Sequence, residues 1–163
     1  MAVLDEEMKR LVRRQRLGFV ATVAPDGTPN LSPKGSTTVW GEDQIVFADV
    51  LSPRTIRNLV DNPRVEINVV DPFTRKGFRF KGKGTVLRSG AEYWKIIEMY
   101  KADGTDVRRI RAIVVVRVEF AAPLISPAYE VGVGEADMTR SWEEYYRRCR
   151  AGEADPGRPI LDV

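Results

Sequence analysis

The stretch IRAIVVVRVEF, residues 110–120, constrains the fold of this chain more than any other. A run so rich in Val and Ile favours a strand, and it has company. LGFVATVA (17–24), QIVFAD (44–49), RVEINVVD (64–71) and GFRFKGKGTVL (77–87) are further strand candidates, the last two alternating apolar and polar residues. Pro25-Asp26-Gly27 marks a tight turn. Beyond it, PNLSPKGSTTVW (29–40) is expected as one kinked strand whose ladder Pro33 and Gly35 interrupt. Short strands at regular spacing, joined by tight turns, predict a mainly β protein with flanking helices. The expected form is an antiparallel barrel with a few helices packed outside.

Residues 4–16 predict a helix with Leu4, Met8, Leu11 and Val12 on one face, acids early and bases late. Ser89 and Glu92 predict a capping box for a helix carrying Tyr93, Ile96, Ile97 and Tyr100. Ser141 and Glu144 predict another, ahead of a stripe of Trp142, Tyr145, Tyr146 and Cys149. That last helix is expected to cover the barrel or a partner subunit. The chain thus divides into a barrel domain, residues 1–125, and a C-terminal extension, residues 126–163, with residues 121–135 irregular.

Composition narrows the chemistry. The 163 residues contain no histidine, which removes histidine general bases, histidine-paired nucleophiles and histidine metal ligands. The single cysteine, Cys149, can form no internal disulfide and no cysteine-rich metal site. Although Arg147, Arg148 and Arg150 surround it, a structural role is expected. Redox or transfer chemistry would therefore fall to a bound organic cofactor. The charged N-terminus and the lack of any long apolar run predict a soluble, cytoplasmic protein with no membrane partner.

One segment asks for an anion. In VLSPRTIRNLVDNP (50–63), Ser52 is a favoured N-cap and Pro53 suits the first helical position. The N–H groups of Arg54, Thr55 and Ile56 would then lack intrahelical partners. Arg54 adds a guanidinium and Thr55 a hydroxyl, with Arg57 a turn further on, as at helix N-termini that hold phosphate. LSPKGSTT (31–38) supplies hydroxyls, a lysine and two ladder-breakers where a plain strand would carry valines. In a meander it would lie beside 44–49, whose end delivers the anion site. A flat, polar-edged ligand with a phosphate tail fits that arrangement.

The ordered set of PDG turn, SPKGS, QIVFAD, SPRTIRNL, NPRVEINVVDP and FRFKGKG resembles the pyridoxamine-phosphate-oxidase-like proteins, over residues 10 to 125. RRIRAIVVVRVEFAAPLIS is most similar to their small bacterial FMN-binding members. The resemblance implies an FMN-binding split β-barrel and a homodimer with the flavin at the subunit interface. It puts phosphate contacts on Arg54 and Thr55, ring and ribityl contacts on Ser32, Pro33, Lys34, Gly35 and Ser36, and counts Ser52 among the cofactor-binding residues. Ala48, Asp49, Arg79 and Lys81 are further expected contacts. Lys34 would lie near the pyrimidine end of the flavin, where a positive charge favours electron uptake. True vitamin B6 oxidases bind substrate phosphate through a C-terminal arginine-histidine motif. Here histidine is absent and the ending is ADPGRPILDV. The implied function is thus a flavin-dependent oxidoreductase with an NAD(P)H or small-molecule redox partner, and not pyridoxamine phosphate oxidation.

Other classes compete. A non-catalytic FMN carrier or electron-transfer protein would share every feature above, and a deazaflavin could replace FMN on the same fold. KGFRFKGK (76–83) partly matches an RNA-recognition signature, but Arg79, Lys81 and Lys83 replace its small, valine and aromatic positions. GVGEAD (132–137) lacks the third glycine and the preceding strand of a dinucleotide fingerprint. A net charge of +3 calls for no polyanionic partner, so nucleic acid ranks below flavin.

Overall fold

A computed structural model describes residues 2–153 and residue 157. The expected helix at the start is α1, Glu6–Gln15, capped by the Asp5 carboxylate, which accepts from the Met8 N–H at 2.8 Å. Then follow β1 (Gly18–Val23), β2 (Pro29–Lys34), β3 (Thr38–Trp40), β4 (Gln44–Asp49) and α2 (Pro53–Asp61). After these come β5 (Arg64–Asp71), β6 (Lys76–Leu87), α3 (Ala91–Ala102), β7 (Ala112–Ile125) and α4 (Glu135–Arg150).

The seven strands form one sheet in the order β2-β1-β5-β6-β7-β4-β3. The pairings of β1 with β2 and β5, and of β4 with β3 and β7, are antiparallel. The stretch 29–40 is therefore two strands at opposite ends of the sheet, not one kinked strand. Pro33 has no N–H to give a further neighbour, and β2, as an end strand, tolerates it. The chain turns over residues 35–37, closed by the Thr37 hydroxyl donating to the Lys34 carbonyl at 2.8 Å.

This connection dictates the sheet's curvature. Six strand spacings laid flat would take about 29 Å. The four residue steps from Lys34 to Thr38 span at most about 14 Å. The sheet must curl until its ends approach, yet β2 and β3 are not hydrogen-bonded to each other. It is a mainly β, curled sheet that its hydrogen bonds leave open.

Two compact units divide the chain: Met1–Val69 with Arg79–Ala122, and Val70–Phe78 with Pro123–Val163. The division is not sequential, because residues 70–78, between β5 and β6, group with the C-terminal part. In the first unit β4 is buried on both faces. Val46 and Ala48 pack under Tyr93, Ile96, Ile97 and Tyr100 of α3, together with Ile113 and Val115 of β7. Ile45 and Phe47 point to the other side and are equally inaccessible. Gly82 lets β6 approach β7, since a Cβ there would lie 2.0 Å from the Arg117 carbonyl oxygen. The KGFRFKGK segment is thus a packed sheet strand.

The second unit has its own small core of Ala128, Met138 and Trp142, with Phe73, Tyr129, Tyr145 and Tyr146 against it. The Arg75 guanidinium lies 3.5 Å from the Trp142 ring centroid, and the Tyr129 hydroxyl donates to the Thr74 carbonyl at 2.6 Å. Trp142, Tyr145 and Tyr146 of α4 thus pack within their own unit, and Cys149 is free and exposed. Neither capping box forms. Gly90 rather than Ser89 precedes α3, with Glu92 accepting from the Trp40 indole instead. Helix α4 starts at Glu135, so Ser141 is mid-helix and Glu144 pairs with Arg147. Within 121–135, β7 continues to Ile125 and a 3-10 turn spans Pro127–Tyr129. Most of the ADPGRPILDV ending lies outside the described residues. No helix among the described residues is long and apolar enough to cross a membrane.

Candidate functional site

The site begins where β4 ends. Asp49 is nearly inaccessible, and its carboxylate accepts from the Ser52 N–H at 2.8 Å, turning the chain into α2. Its carbonyl accepts from the Arg111 N–H at 2.8 Å, anchoring the turn to the start of β7. Pro53 occupies the first helical position, as the sequence predicts. Ser52 is the N-cap residue, but its side chain makes no capping bond. The first α-helical bond runs from the Ile56 N–H to the Ser52 carbonyl at 3.2 Å, so Ile56 leaves the expected set of unpaired donors. The N–H groups of Arg54 and Thr55 precede that bond.

The Ser52 hydroxyl has a different partner. Lys34, at the end of β2, donates its ammonium to Ser52 in a short bond and to the Ser32 hydroxyl at 2.7 Å. Lys34 is only 5% exposed, and burial holds its pKa below the ordinary lysine value, with the Asp49 carboxylate opposing that shift. An ammonium carries three donors, and hydroxyls take two of them here. Among the described residues no hydrogen-bond acceptor takes the third. Lys34 thus stands at the N-terminus of α2, the end expected to hold phosphate, although β2 does not pair with β4.

The turn between β2 and β3 is held from several sides. The Ser36 hydroxyl accepts from the Ala48 N–H at 2.9 Å, which ties this turn to β4. The Tyr100 hydroxyl, wholly buried, donates to the Ser36 carbonyl at 2.7 Å, and burial pushes its pKa up. Gly35 and Pro33 are exposed, and a Cβ at Gly35 would meet nothing within 4 Å. Space on that side is open to a ligand.

Thr55 is placed differently from its neighbours. It is 1% exposed, and its hydroxyl accepts from the Asn30 amide at 3.2 Å. Asn30 also donates to Thr22 at 3.1 Å, as does Asn58 of α2 at 3.0 Å. This buried network fastens α2 to β1 and β2. Sequence reasoning missed Asn30, Asn58 and Tyr100. The available signal was Asn58, which shares the inward face of α2 with Thr55 and Leu59 at helical spacing.

Arg54 is exposed, and no ion pair or hydrogen bond holds its guanidinium among the described residues. Asn30, Leu31, Ser32, Ser52, Arg54 and Thr55 line a cleft of about 260 Å³ that also borders Leu51 and Pro53. The fold therefore brings Ser32, Lys34, Ser52, Arg54 and Thr55 to one place, with Ser36, Ala48 and Asp49 supporting it. Arg79 and Lys81 are not brought there. Both lie on β6 and pair with Glu66 of β5, at 2.7 and 3.5 Å. No group of three or more acidic or cysteine side chains suited to a metal occurs among the described residues.

Comparison with known proteins agrees with this fold. HupZ of Group A Streptococcus is 30% identical over 76% of this chain and 95% of its own, with a TM-score of 0.68. An FMN-binding protein of Syntrophomonas wolfei shares the fold at 18% identity and a TM-score of 0.60, covering 73% of this chain and 87% of its own. An F420 reductase does so at 22% identity and 0.58, covering 73% and 98%. No curated protein matches the sequence. The family model described as pyridoxamine 5'-phosphate oxidase matches residues 4–122, and the chain belongs to that family.

Proposed function

We propose that this chain binds FMN, forms a homodimeric split barrel, and works as a flavin-dependent oxidoreductase other than pyridoxamine 5'-phosphate oxidase itself. The observation that carries this reading is the convergence of Lys34, Ser52 and Arg54 on the N-terminus of α2. The Arg54 side chain and the first free N–H groups would hold the phosphate. Residues 32–36 would follow the ribityl chain and ring, and the third Lys34 donor would face the ligand. Bound FMN would supply the electron-accepting ring that the histidine-free chain lacks.

A cleft of about 260 Å³ is smaller than the roughly 300–1,000 Å³ of sites that enclose a ligand of drug size. It suits the phosphate end and leaves the ring for a second subunit to cover. The outer face of β1 and β2 supports that second copy. In register there, Phe19 lies opposite Pro33, Ala21 opposite Leu31, and Val23 opposite Pro29. Leu31 is 65% exposed, and Phe19 and Val23 are also exposed. An in-register apolar stripe of this kind favours a self-complementary contact. Beside it on β5 are Glu66, with its two β6 cations, and Asn68, whose buried side-chain oxygen meets no donor among the described residues. Arg79 and Lys81 would thus belong to the dimer face.

The test is direct. The purified protein should be yellow, or become so with added FMN, and should bind FMN in preference to riboflavin. Sedimentation should give twice the chain mass, and Leu31→Glu should give the monomer. A colourless protein that leaves FMN fluorescence unquenched would overturn the proposal. Because one structural relative is an F420 reductase, a deazaflavin is the second reading. The absorption spectrum and mass of the released cofactor separate the two.

A further inference from the structure

Pro53 borders two clefts. Beyond it from Ser32 and Arg54 lies a second, larger one of about 480 Å³, lined by Asp49, Ile56, Arg57, Val60, Arg88 and Arg111, with Ala112 at its edge. Its three arginines come from three elements: α2, the segment after β6 and the residue before β7. All are exposed, and among the described residues none of the three guanidiniums has an ion pair or side-chain hydrogen bond. Elsewhere Arg79, Arg108 and Arg147 each hold a carboxylate. The lining contains one acid, Asp49, and its carboxylate is already committed to the Ser52 N–H. Three guanidiniums less one carboxylate leave the cleft with two net positive charges.

We propose that this second cleft binds a phosphate ester of nucleotide size carrying two or more negative charges. Arginine forks match phosphate oxygens in pairs, and three of them from separate elements suit an anion with several such oxygens. A lone phosphate would not fill the space, which falls within the range of small-molecule sites. Ile56, Val60 and Pro53 offer an apolar wall for a sugar or base. The ligand is either a free nucleotide or the nucleotide half of a dinucleotide electron donor. Apart from Asp49 and Pro53, no residue lining this second cleft is among those placed in the FMN site, so the two proposals can fail separately.

Calorimetric titration of the full-length chain at low ionic strength, with and without FMN, tests it using ADP, NADPH and inorganic pyrophosphate. ADP should bind in both conditions. Arg88→Gln and Arg111→Gln should each weaken it about tenfold or more while leaving FMN affinity unchanged. Arg54→Ala should do the reverse. Arg57→Gln repeats the test from a third element if either of the first two variants melts early by circular dichroism. Tighter binding of NADPH than ADP assigns the dinucleotide, and equal or weaker binding assigns the free nucleotide. Pyrophosphate should bind more weakly than ADP, because it leaves the apolar wall uncovered. The proposal is overturned if ADP gives no heat at millimolar concentration. It is also overturned if Arg54→Ala weakens ADP as much as Arg88→Gln does, or if an RNA oligonucleotide displaces ADP at lower concentration.

Discussion

Helices α1 and α2 start in opposite ways. At α1 the Asp5 side chain caps the Met8 N–H, and Glu6 and Glu7 fill the first turn with negative charge. Every feature there serves the helix itself. At α2 the residue in the cap position spends its hydroxyl on a buried lysine, and the first turn holds no acid but an arginine. Within the helix itself nothing negative meets the N–H groups of Arg54 and Thr55, since the nearby Asp49 carboxylate is taken by the Ser52 N–H. One helix start is finished by its own sequence, whereas the other, in the function proposed above, is left for a ligand to finish.

Substitutions at the two ends should therefore separate binding from stability. The largest effect is expected for Arg54→Ala. Loss of a charge-assisted hydrogen bond worth roughly 1.5–3 kcal/mol should weaken FMN about tenfold to a hundredfold. Riboflavin, without a phosphate, should be nearly unaffected, and so should the melting temperature, because Arg54 is exposed and has no partner among the described residues. At the other end, Asp5→Ala should cost about 1 kcal/mol of unfolding free energy and leave FMN affinity unchanged. Flavin fluorescence titration and urea denaturation of both variants check the pair. Equal loss of FMN and riboflavin in Arg54→Ala would remove the phosphate from this end of α2.

Thr55→Val sharpens the contrast, because Thr55 belongs to the fold at a binding end. Sequence alone suggests an exposed hydroxyl that only a phosphate would miss. In the structure Thr55 is buried and takes the Asn30 amide. Removing that acceptor leaves a part-buried amide short of one partner, at a cost of about 1–3 kcal/mol. Destabilisation should accompany any loss of FMN. A variant as stable as the wild type would show that the Asn30–Thr55 bond carries no weight.

The strands and helices α1 and α2 were legible because their signals are local: alternation, a PDG turn, acids before bases in α1, a proline at the first position of α2. The break of 29–40 into β2 and β3 was not, because pairing partners far along the chain decide which sheet end each half joins. Helix α4 was legible as an amphipathic stripe, but not its start, since Gly134 offers no side-chain cap. Within the site, Ser52, Pro53 and Arg54 stood out by type and spacing. The burial of Lys34 did not, because its acceptor Ser52 comes 18 residues later on another element. The cleft of Arg57, Arg88 and Arg111 needs three elements to exist at all, and no window of sequence contains it.

The smallest expected effect concerns Lys34, and its sign follows from burial. Its folded-state pKa lies below the ordinary value of 10.5, chiefly because burial disfavours the ammonium. Below that lowered pKa both folded and unfolded chains are protonated, and the burial penalty is fully present. As pH rises through it, the folded chain releases the proton first. The unfolded chain then binds more protons, so stability rises with pH until the unfolded lysine also titrates near 10.5. Lys34→Met keeps the apolar stem and removes the titration. The variant should be as stable as the wild type or slightly more so at neutral pH, while binding FMN more weakly. The wild type should then gain on it across the alkaline window below 10.5. Other lysines and tyrosines titrate alike in both proteins, so the difference between their unfolding free energies isolates Lys34. A flat difference across that window would mean that the Ser32 and Ser52 hydroxyls fully offset the burial of the ammonium. Helix α2 would then be as complete at its start as α1, and the contrast between them would rest on Arg54 alone.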